Sequence, residues 1–409
     1  MSRYFLFYPS VEVGGAEILF ARLADALVDR GNEVTVMDSE KKIIINLLKN
    51  KCVRTLITCT HEKVEVCTDY IIIFASHAIN APRFFNAPAE SKLLVWNIHP
   101  LNNIFLPPVI GEYIFNMGLV FLRIFNSLFF HSENKVRINT LKTLFRADAF
   151  MCMDGETAKT LNNYYCLNLA YDYIPVPVPV SDNAVHALHE FDSAGMINLF
   201  WYGRLCDFKS YGLIYLIKKL SELKFQIRIG IIGDGDFRKT VEAVAKSSAV
   251  QVCFFGSLPN EEAILLLQRE ADVVFAMGTA ALEAAAIGIP TVLAPVSYGK
   301  ISYDLKFDWL YNTKNFTLGR LVGVGGHGEG LSVSEIISNV IRDRDFFGKS
   351  CQQYVYDFHK LSCVVDLIQL KTSQSRMKFS DYCQLVTYKK SFLIRLSIFL
   401  RARIKRVLS

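Results

Sequence analysis

Two cations follow a short apolar run near the middle of the chain. Residues 199–202 have the composition of a buried strand, and Arg204 and Lys209 come after the turn that Gly203 permits. Guanidinium and ammonium groups at the carboxyl end of a parallel strand are suited to bind a phosphate or a diphosphate. Taken alone, the same residues would also fit a surface loop with two ordinary charges.

A second candidate anion site lies near the N-terminus. The predicted strand Arg3 to Tyr8 is followed by Gly14 and Gly15, and then by a helical pattern that ends at Gly31. Two glycines before a helix let backbone N–H groups approach an anion closely, so Gly15 is a candidate binding residue. The alternative is a tight strand-to-helix turn. The third glycine of a dinucleotide fingerprint is missing, which argues against a nicotinamide-dependent dehydrogenase.

The second half of the chain repeats a pattern of strand, glycine turn and helix. Three apolar segments have the composition of buried strands, and each is ended by a glycine. They are 225–232 before Gly233, 250–255 before Gly256 and Ser257, and 273–277 before Gly278 and Thr279. The alanine-rich helix after the last of these turns carries Glu283 and ends before Gly288. The repetition predicts an α/β fold whose parallel sheet binds its ligand at the carboxyl ends of the strands.

Four of these motifs, in this order, resemble those of the retaining GT-B glycosyltransferases of the glycosyltransferase family 4 (group 1) type. They are Gly14–Glu17, Gly203–Arg204 with Lys209, Gly233–Gly235, and Leu282–Ala284 before Gly288–Pro290, and the pattern covers roughly residues 1–365. The resemblance implies two Rossmann-like parallel-sheet domains that face an interdomain cleft. It also implies transfer of a sugar from a nucleotide-diphosphate sugar with retention of configuration, and no metal or other cofactor.

The resemblance further implies a role for each candidate residue. Arg204 and Lys209 would hold the donor diphosphate together with the helix that starts at Thr279, and Glu283 would accept hydrogen bonds from ribose hydroxyls. His99, at the end of a predicted strand, would hydrogen-bond a hydroxyl of the donor sugar. We therefore predict His99, Arg204 and Lys209 as catalytic residues. The predicted donor-binding residues are Gly15, Gly203, Gly233, Gly256, Ser257, Gly278, Thr279 and Glu283.

The chain departs from the family pattern in one respect. The family carries two glutamates separated by seven residues; Glu283 matches the second, but Phe275 stands at the position of the first. The turn at Gly278 is shorter than usual and resembles those of nucleotide-sugar epimerases with the same fold. An epimerase, and a non-catalytic GT-B protein that binds a membrane or a partner, are therefore the alternatives. Asp234 and Asp236 have the spacing of a metal-binding D-x-D but fall in the Gly-Asp-Gly turn, so no metal site is predicted.

Length and composition fit a two-domain enzyme. A chain of 409 residues, 51% of them hydrophobic, is long enough for two or three separate cores. The ten cysteines include no C-x-x-C pair, so neither a metal site nor a disulfide framework is indicated. Alternating prolines between Ile174 and Val180 predict an extended linker. The predicted parts are an acceptor-binding domain (1–178), a nucleotide-sugar-binding domain (190–350), a crossover helix (351–375) and a basic amphipathic tail (376–409).

The positive charge of the chain is concentrated in that tail. Residues 376–409 hold nine cations and one acid, which leaves 36 basic and 38 acidic residues elsewhere. A helix here would place its apolar residues on one face, a pattern suited to an anionic membrane surface. These residues are Leu393, Leu396, Leu400, Ile404 and Val407. A solvated terminal helix or a nucleic-acid-binding tail would carry the same charges.

A second apolar segment, 104–130, strengthens the membrane interpretation. It nearly reaches the length of a transmembrane helix, but a span here would separate Gly15 from Arg204. Monotopic insertion or an apolar acceptor groove is therefore favoured, with plain domain core as the alternative. The N-terminus has no signal-peptide layout.

We therefore predict a cytoplasmic enzyme, peripheral on the inner face of the cell membrane, that takes part in surface polysaccharide synthesis. O-antigen, capsule and lipopolysaccharide are the products considered. Its predicted partners are a nucleotide-sugar donor, a lipid-linked or polysaccharide acceptor and an anionic membrane surface, with no nucleic acid.

Overall fold

The computed structural model describes the whole chain except residues 13, 59–61, 108–117, 181–187, 193–194, 302, 321, 323–329 and 388–409. Two compact units make up the fold. Unit 1 combines Met1–Val176 with the C-terminal segment that starts at Val364, and unit 2 is Pro177–Cys363. Each unit is built on its own six-stranded sheet.

The sheet of unit 1 is parallel throughout. The strands of this unit are β1 (Arg3–Phe7), β2 (Glu33–Asp38), β3 (Arg54–Ile57), β4 (Val64–Glu65), β5 (Tyr70–Phe74), β6 (Phe85–Asn86), β7 (Lys92–Asn97) and β8 (Phe150–Cys152). The sheet has the order β3-β2-β1-β5-β7-β8, while β4 and β6 form a separate parallel pair. Because the chain builds outward first on one side of β1 and then on the other, the strand order reverses between β1 and β5. Tyr4 to Phe7 are all buried, as expected for a parallel strand covered on both faces.

Helices cover the sheet of unit 1. The N-terminal helices are α1 (Gly15–Asp29), α2 (Leu119–Phe129), α3 (His131–Arg146) and α4 (Gly155–Tyr165). The side chain of Asp154 accepts a 2.7 Å hydrogen bond from the Thr157 backbone N–H and so starts α4. The strand predicted from Arg146 to Met153 begins only at Phe150, because α3 continues to Arg146 and the N–H of Ala149 still bonds back to its last turn.

Unit 2 repeats the same winding with one antiparallel strand added. Its strands are β9 (Ile197–Tyr202), β10 (Ile227–Ile232), β11 (Gln251–Gly256), β12 (Val273–Ala276), β13 (Thr291–Leu293) and β14 (Asp308–Trp309). The order is β11-β10-β9-β12-β13-β14, in which only β13 and β14 pair antiparallel. The helices are α5 (Asp207–Ser221), α6 (Arg238–Lys246), α7 (Asn260–Glu270), α8 (Thr279–Ala286) and α9 (Val333–Phe358). Strand β14 was not predicted, since no periodic pattern marks the segment 298–330.

The proline-rich segment joins the two units in an extended conformation. The carbonyl of Ile174 accepts a hydrogen bond from the buried Trp96 indole at 3.0 Å, and this fixes the segment to unit 1. Four residues later, the N–H of Val178 donates to the carbonyl of His359 at 2.8 Å within unit 2. Both Ile174 and Val178 are fully buried. The prolines between them lack backbone donors and therefore suit a segment with so few ladder partners.

The C-terminal residues return to unit 1. The predicted crossover helix, 351–375, is two helices, because α9 ends at Phe358 and α10 (Leu361–Gln374) starts after His359, whose carbonyl bonds to the linker. The chain then runs beside β7, where the N–H of Leu93 donates to the carbonyl of Met377 at 2.9 Å. A last helix, α11 (Phe379–Val386), follows.

This return corrects the start of the predicted tail. Phe379 stacks on Phe85 with ring centroids 5.4 Å apart, and Tyr382 is fully buried with its hydroxyl bonded to the carbonyl of Ala78. The segment 376–387 therefore packs on unit 1 through the buried side chains of Met377, Phe379, Tyr382 and Val386, and the predicted membrane-associating tail cannot start at residue 376. The apolar face predicted for residues 393–407 lies outside the described residues.

The segment 104–130 contains a helix that is apolar on its exposed side. In α2, Leu122 and Asn126 are buried, and Asn126 bonds the Phe105 carbonyl at 2.7 Å. Large apolar side chains on the other side are exposed to solvent; they are Val120, Phe121, Ile124, Leu128 and Phe129. Residues 108–117 are outside the described part. Within the described ranges, every helix is too short or too polar to cross a bilayer.

Candidate active site

Three neighbouring strand ends in unit 2 are joined by main-chain hydrogen bonds. The N–H of Gly203, after β9, donates to the carbonyl of Ile232 at 2.9 Å. The N–H of Gly233, after β10, donates to the carbonyl of Gly256 at 2.7 Å, and the N–H of Leu205 donates to Asp234 at 2.9 Å. The loops at the carboxyl edge of this sheet are thus fixed to one another by their backbones. We call these loops, at residues 203–205, 233–235 and 256, the backbone floor of the site.

The glycines of this floor are required by contact distance. A Cβ added to Gly233 would lie 2.1 Å from the Gly203 carbonyl oxygen, and one added to Gly235 would lie 2.5 Å from that of Leu205. Both glycines also have positive φ, +140° and +150°. Any larger residue at either position would force the two loops apart.

Lys209 lies beside this floor. It is in the first turn of α5, and its Nζ lies 3.8 Å from the point where a Cβ on Gly203 would be. Burial lowers the pKa of Lys209, and the charge of Arg204 lowers it further, although Cys206 acts in the opposite direction. Among the described residues, neither Arg204 nor Lys209 forms an ion pair. Two cations that repel one another at the carboxyl edge of a sheet are suited to an anion with more than one charge.

The start of α8 faces the same edge of the sheet, since it follows β12 and β12 pairs with β9. Gly278 precedes the helix with φ of +64°, and no side chain caps the helix. A Cβ on Gly278 would meet nothing within 4 Å, so the approach to the first N–H groups is open. The helix dipole adds positive potential at Thr279.

Glu283 lies one turn into α8 and contacts two other segments. Asn260, the first residue of α7, donates from Nδ2 to Glu283 Oε2 at 2.7 Å. The Tyr202 hydroxyl, at the end of β9, lies 3.4 Å from the same oxygen. Neither Tyr202 nor Asn260 was among the predicted site residues. The one sequence signal for Asn260 was its place as a polar residue at the start of the helix that follows β11.

The predicted turn Asp234–Asp236 is held by its own chain. Asp234 accepts from the Gly235 N–H at 2.8 Å and pairs with Arg238 at 2.9 Å, and these bonds lower the pKa of its carboxyl. Arg238 also pairs with Glu242 at 2.7 Å. Across the described ranges, no group of three or more His, Cys, Asp or Glu side chains has the arrangement of a metal site. The absence of a cofactor stays an expectation.

Nine of the predicted site residues belong to unit 2 and lie at this edge of its sheet. They are Gly203, Arg204, Lys209, Gly233, Gly256, Ser257, Gly278, Thr279 and Glu283. Phe275, which stands where the family has a glutamate, is fully buried within β12 and packs edge-on against Phe307. The shorter turn therefore places a core residue at this position, and no carboxylate replaces it there.

The two remaining predicted residues, Gly15 and His99, belong to unit 1. Gly15 is the first residue of α1. The turn before it is shaped by Glu17, whose side chain is buried and accepts from the Ser10 hydroxyl at 2.6 Å. A Cβ on Gly14 would lie 2.9 Å from Glu17 Oε2, so the glycine makes room for this carboxylate.

His99 lies two residues beyond the end of β7. Its Nδ1 accepts from the Leu101 N–H at 3.2 Å, so the ring is held by the turn that follows. Desolvation lowers the pKa of His99, which favours the neutral imidazole at neutral pH. A neutral ring held at one nitrogen can still donate from the other to a hydroxyl oxygen.

Part of unit 2 is similar to a known protein family. Residues 200–302 match the family model described as Glycosyl transferases group 1, and this segment contains the floor, both cations and Glu283. The chain therefore carries a group 1 glycosyl transferase domain, which supports its assignment as a glycosyltransferase. No curated protein matches the chain in sequence.

Solved structures of the same fold include a galactosyltransferase and proteins solved in complex with UDP. HepE of Anabaena in complex with UDP and glucose has a TM-score of 0.54 at 13% identity, covering 91% of this chain and 100% of HepE. The lipopolysaccharide outer core galactosyltransferase WaaB has a TM-score of 0.53 at 11% identity, covering 91% and 99%. TarM of S. aureus in complex with UDP scores 0.53 at 9% identity, covering 91% and 100%. The chain thus has the GT-B fold of two Rossmann-like domains.

Proposed function

We propose that this protein transfers a sugar, with retention of configuration, from a nucleotide-diphosphate sugar to a membrane-linked glycan or lipid acceptor. The observation that carries the proposal is the pair Arg204 and Lys209 beside the backbone floor of unit 2, with the start of α8 and Glu283 at the same edge of the sheet. A cation pair and a helix N-terminus suit a diphosphate, and a carboxylate suits the hydroxyls of a ribose. The assignment to family 4 rests on the resemblance of the motifs.

In this proposal the protein acts on the departing diphosphate. Negative charge develops on the leaving phosphate oxygen as the bond to the sugar breaks, and Arg204, Lys209 and the N–H groups at Thr279 stabilise it. Main-chain hydrogen bonds join the loops that carry Arg204 and its neighbours, so the backbone of the site needs little reorganisation during the reaction. Glu283 orients the nucleoside by accepting from its ribose, and backbone groups at Gly256 and Ser257 are assigned to the base. Gly15 and His99 are assigned to the diphosphate and to a donor-sugar hydroxyl.

A membrane-linked acceptor is supported by the exposed apolar side of α2. Five large apolar side chains on one short helix exceed the scattered exposure that is ordinary for a soluble surface. Helix α3, which packs against α2, carries Lys135, Arg137 and Lys142, cations that favour anionic lipids. We therefore place the enzyme on the cytoplasmic face of the membrane, where it would act in surface polysaccharide synthesis.

A nucleotide-sugar epimerase is the second candidate. It is favoured by the short turn at Gly278 and by Phe275, which removes the family's first glutamate from the donor site. An epimerase releases a free sugar or an altered nucleotide sugar and needs no acceptor. The proposed transferase releases nucleoside diphosphate in proportion to the acceptor that it glycosylates. A non-catalytic protein would bind its partner but leave the nucleotide sugar unchanged.

Nucleotide binding is the first test. We expect one of UDP, GDP, ADP and CMP to raise the melting temperature of the full chain, because a ligand that binds only the folded state stabilises it. At a concentration about 100 times its Kd the stabilisation is about 2.7 kcal/mol. Arg204→Ala should lose most of the shift. An absence of any shift in the wild-type protein would contradict the proposed donor site.

Vesicle binding tests the membrane surface. In flotation with vesicles that contain phosphatidylglycerol, Ile124→Ser combined with Leu128→Ser is expected to lower the partition coefficient about tenfold or more, since burying one such side chain contributes about 1.5 to 3 kcal/mol. Both positions are exposed, so the variant should fold normally. Leu265→Ser, at an exposed apolar position of unit 2, is the control and should leave partition unchanged. Equal flotation of all three proteins would show that α2 does not contact the membrane.

A further inference from the structure

Glu283 is held by a residue that the proposed reaction does not yet use. Asn260 is 23 residues away in sequence and reaches Glu283 from the start of the neighbouring helix α7, with Nδ2 2.7 Å from Oε2. The amide nitrogen has to face the carboxylate, because two oxygens at this distance would repel. This hydrogen bond joins α7 to α8, and the Tyr202 hydroxyl at the end of β9 lies close to both partners.

Of the two contacts of Glu283 described above, the one with Asn260 has the stronger hydrogen-bond geometry. A donor 2.7 Å from a charged carboxylate forms a short, charge-assisted hydrogen bond. The Tyr202 hydroxyl is 3.4 Å from the same oxygen and 3.3 Å from the Asn260 nitrogen, which are long for hydrogen bonds of these types. Tyr202 therefore limits where the pair can move, while Asn260 sets the direction of the carboxylate.

The position of Asn260 also indicates that its side-chain amide serves the neighbouring helix α8 and not its own helix. Asn260 directly follows the N-cap Pro259, no side chain caps α7, and the Asn260 side chain reaches across to α8. Asn260 is exposed and Glu283 is half-buried. A hydrogen bond this accessible adds little to stability in water, so its geometry matters more for what Glu283 binds than for the fold.

We propose that Asn260 is a positioning residue that fixes the Glu283 carboxylate for a ribose and so makes the site select ribonucleotides over their 2′-deoxy counterparts. The inference rests on the proposed role of Glu283 toward the ribose of the donor. A carboxylate that is already oriented meets the 2′- and 3′-hydroxyls together without losing rotamer freedom on binding. Without Asn260, the carboxylate loses this 2.7 Å hydrogen bond, so its direction is less well fixed and the site discriminates less between the two sugars.

Calorimetric titration of the purified full chain with UDP and with 2′-deoxy-UDP tests the role of Asn260. If guanine is the base that stabilises the protein, GDP and 2′-deoxy-GDP are used instead. The wild-type protein is expected to bind the ribonucleotide at least tenfold more tightly than the 2′-deoxy form. Asn260→Ala should weaken ribonucleotide binding about tenfold and change 2′-deoxy binding less than twofold. Tyr202→Phe should weaken ribonucleotide binding only two- to threefold.

Two further variants separate positioning from a general structural effect. Asn339→Ala removes a half-buried asparagine that accepts from Arg342 at 2.9 Å elsewhere in unit 2, and should leave both affinities unchanged. Asn260→Asp places a second carboxylate beside Glu283, so it should bind more weakly than Asn260→Ala at pH 8. It should recover relative to wild type at pH 5.5, because two facing carboxylates can then share a proton.

The outcomes distinguish the two proposals. If the wild-type protein binds none of the nucleotides, the donor site itself is wrong and the role of Asn260 falls with it. If the wild-type protein binds and discriminates, but Asn260→Ala weakens both nucleotides equally, the donor site stands and the positioning role is overturned. Collapse of the discrimination in Asn260→Ala alone supports it.

Discussion

Lys209→Ala is expected to lower kcat/KM for sugar transfer by a factor of about 10² to 10³, the usual cost of removing one preorganised group that stabilises charge in a transition state. The reason is its location, since Lys209 lies against the backbone floor with no carboxylate paired to it among the described residues. Its charge is therefore available to the leaving diphosphate. Lys219→Ala is the matched control: Lys219 is on the same helix, pairs with Glu222 at 3.0 Å and should retain full activity.

The same lysine predicts a pH dependence. Because the pKa of Lys209 is lowered in the free protein, the ammonium loses its proton at a lower pH than an ordinary lysine does. The value of kcat/KM should therefore fall on the alkaline side, while kcat, measured with the anion bound, should fall only at higher pH. In Lys209→Arg the alkaline fall should disappear, since guanidinium stays charged. Identical alkaline limbs in the two proteins would contradict the assignment.

Gly233→Ala is expected to destabilise unit 2 by about 3 kcal/mol or more and to abolish nucleotide binding. The new Cβ would lie 2.1 Å from the Gly203 carbonyl oxygen, and backbone on both sides of the contact leaves no side chain to move aside. Hydrogen exchange of peptides from β9 and β10 measures the loss within unit 2 without averaging over unit 1.

Gly31→Ala is the control that separates the steric clash of a new Cβ from the strain of a positive φ. Gly31 has φ of +77°, yet a Cβ there would meet nothing within 4 Å. Its substitution should cost only about 1 to 2 kcal/mol, the penalty for a left-handed residue. If Gly233→Ala were as mild as this control, the floor would be more compliant than the structure indicates.

The sequence was informative wherever the signal was local. A glycine at the end of a buried strand marks a turn that only glycine tolerates, and Gly233 and Gly278 follow strands of unit 2 as predicted. The parallel strands of unit 2 followed from the same repetition of strand, turn and helix, whereas a pair of Rossmann-like domains was implied by the resemblance. Assignment of a role to Glu283 came from the resemblance and stays a proposal.

The parts that were not predicted depend on contacts between distant segments. Tyr202 and Asn260 are 58 residues apart in sequence, and neither carries a pattern that indicates a shared partner. The segment 376–387 was assigned to a tail by its charges, because Lys378 and Arg376 outnumber the one acid nearby. Charge alone could not reveal that Phe379 and Tyr382 fill the core of unit 1.

That return of the chain determines the order in which the protein can fold. The Ser375 hydroxyl bonds to the Leu93 carbonyl across 282 residues of sequence, so this part of unit 1 can form only after residue 375 has been synthesised. Unit 2 is continuous in sequence and emerges from the ribosome before the last helices of unit 1. A nascent chain therefore holds an incomplete unit 1, in which the ring of Phe85 lacks its contact with Phe379, until the segment that starts at Val364 has been synthesised. Premature termination after residue 363 would spare the whole of unit 2 and still leave unit 1 without its closing helix.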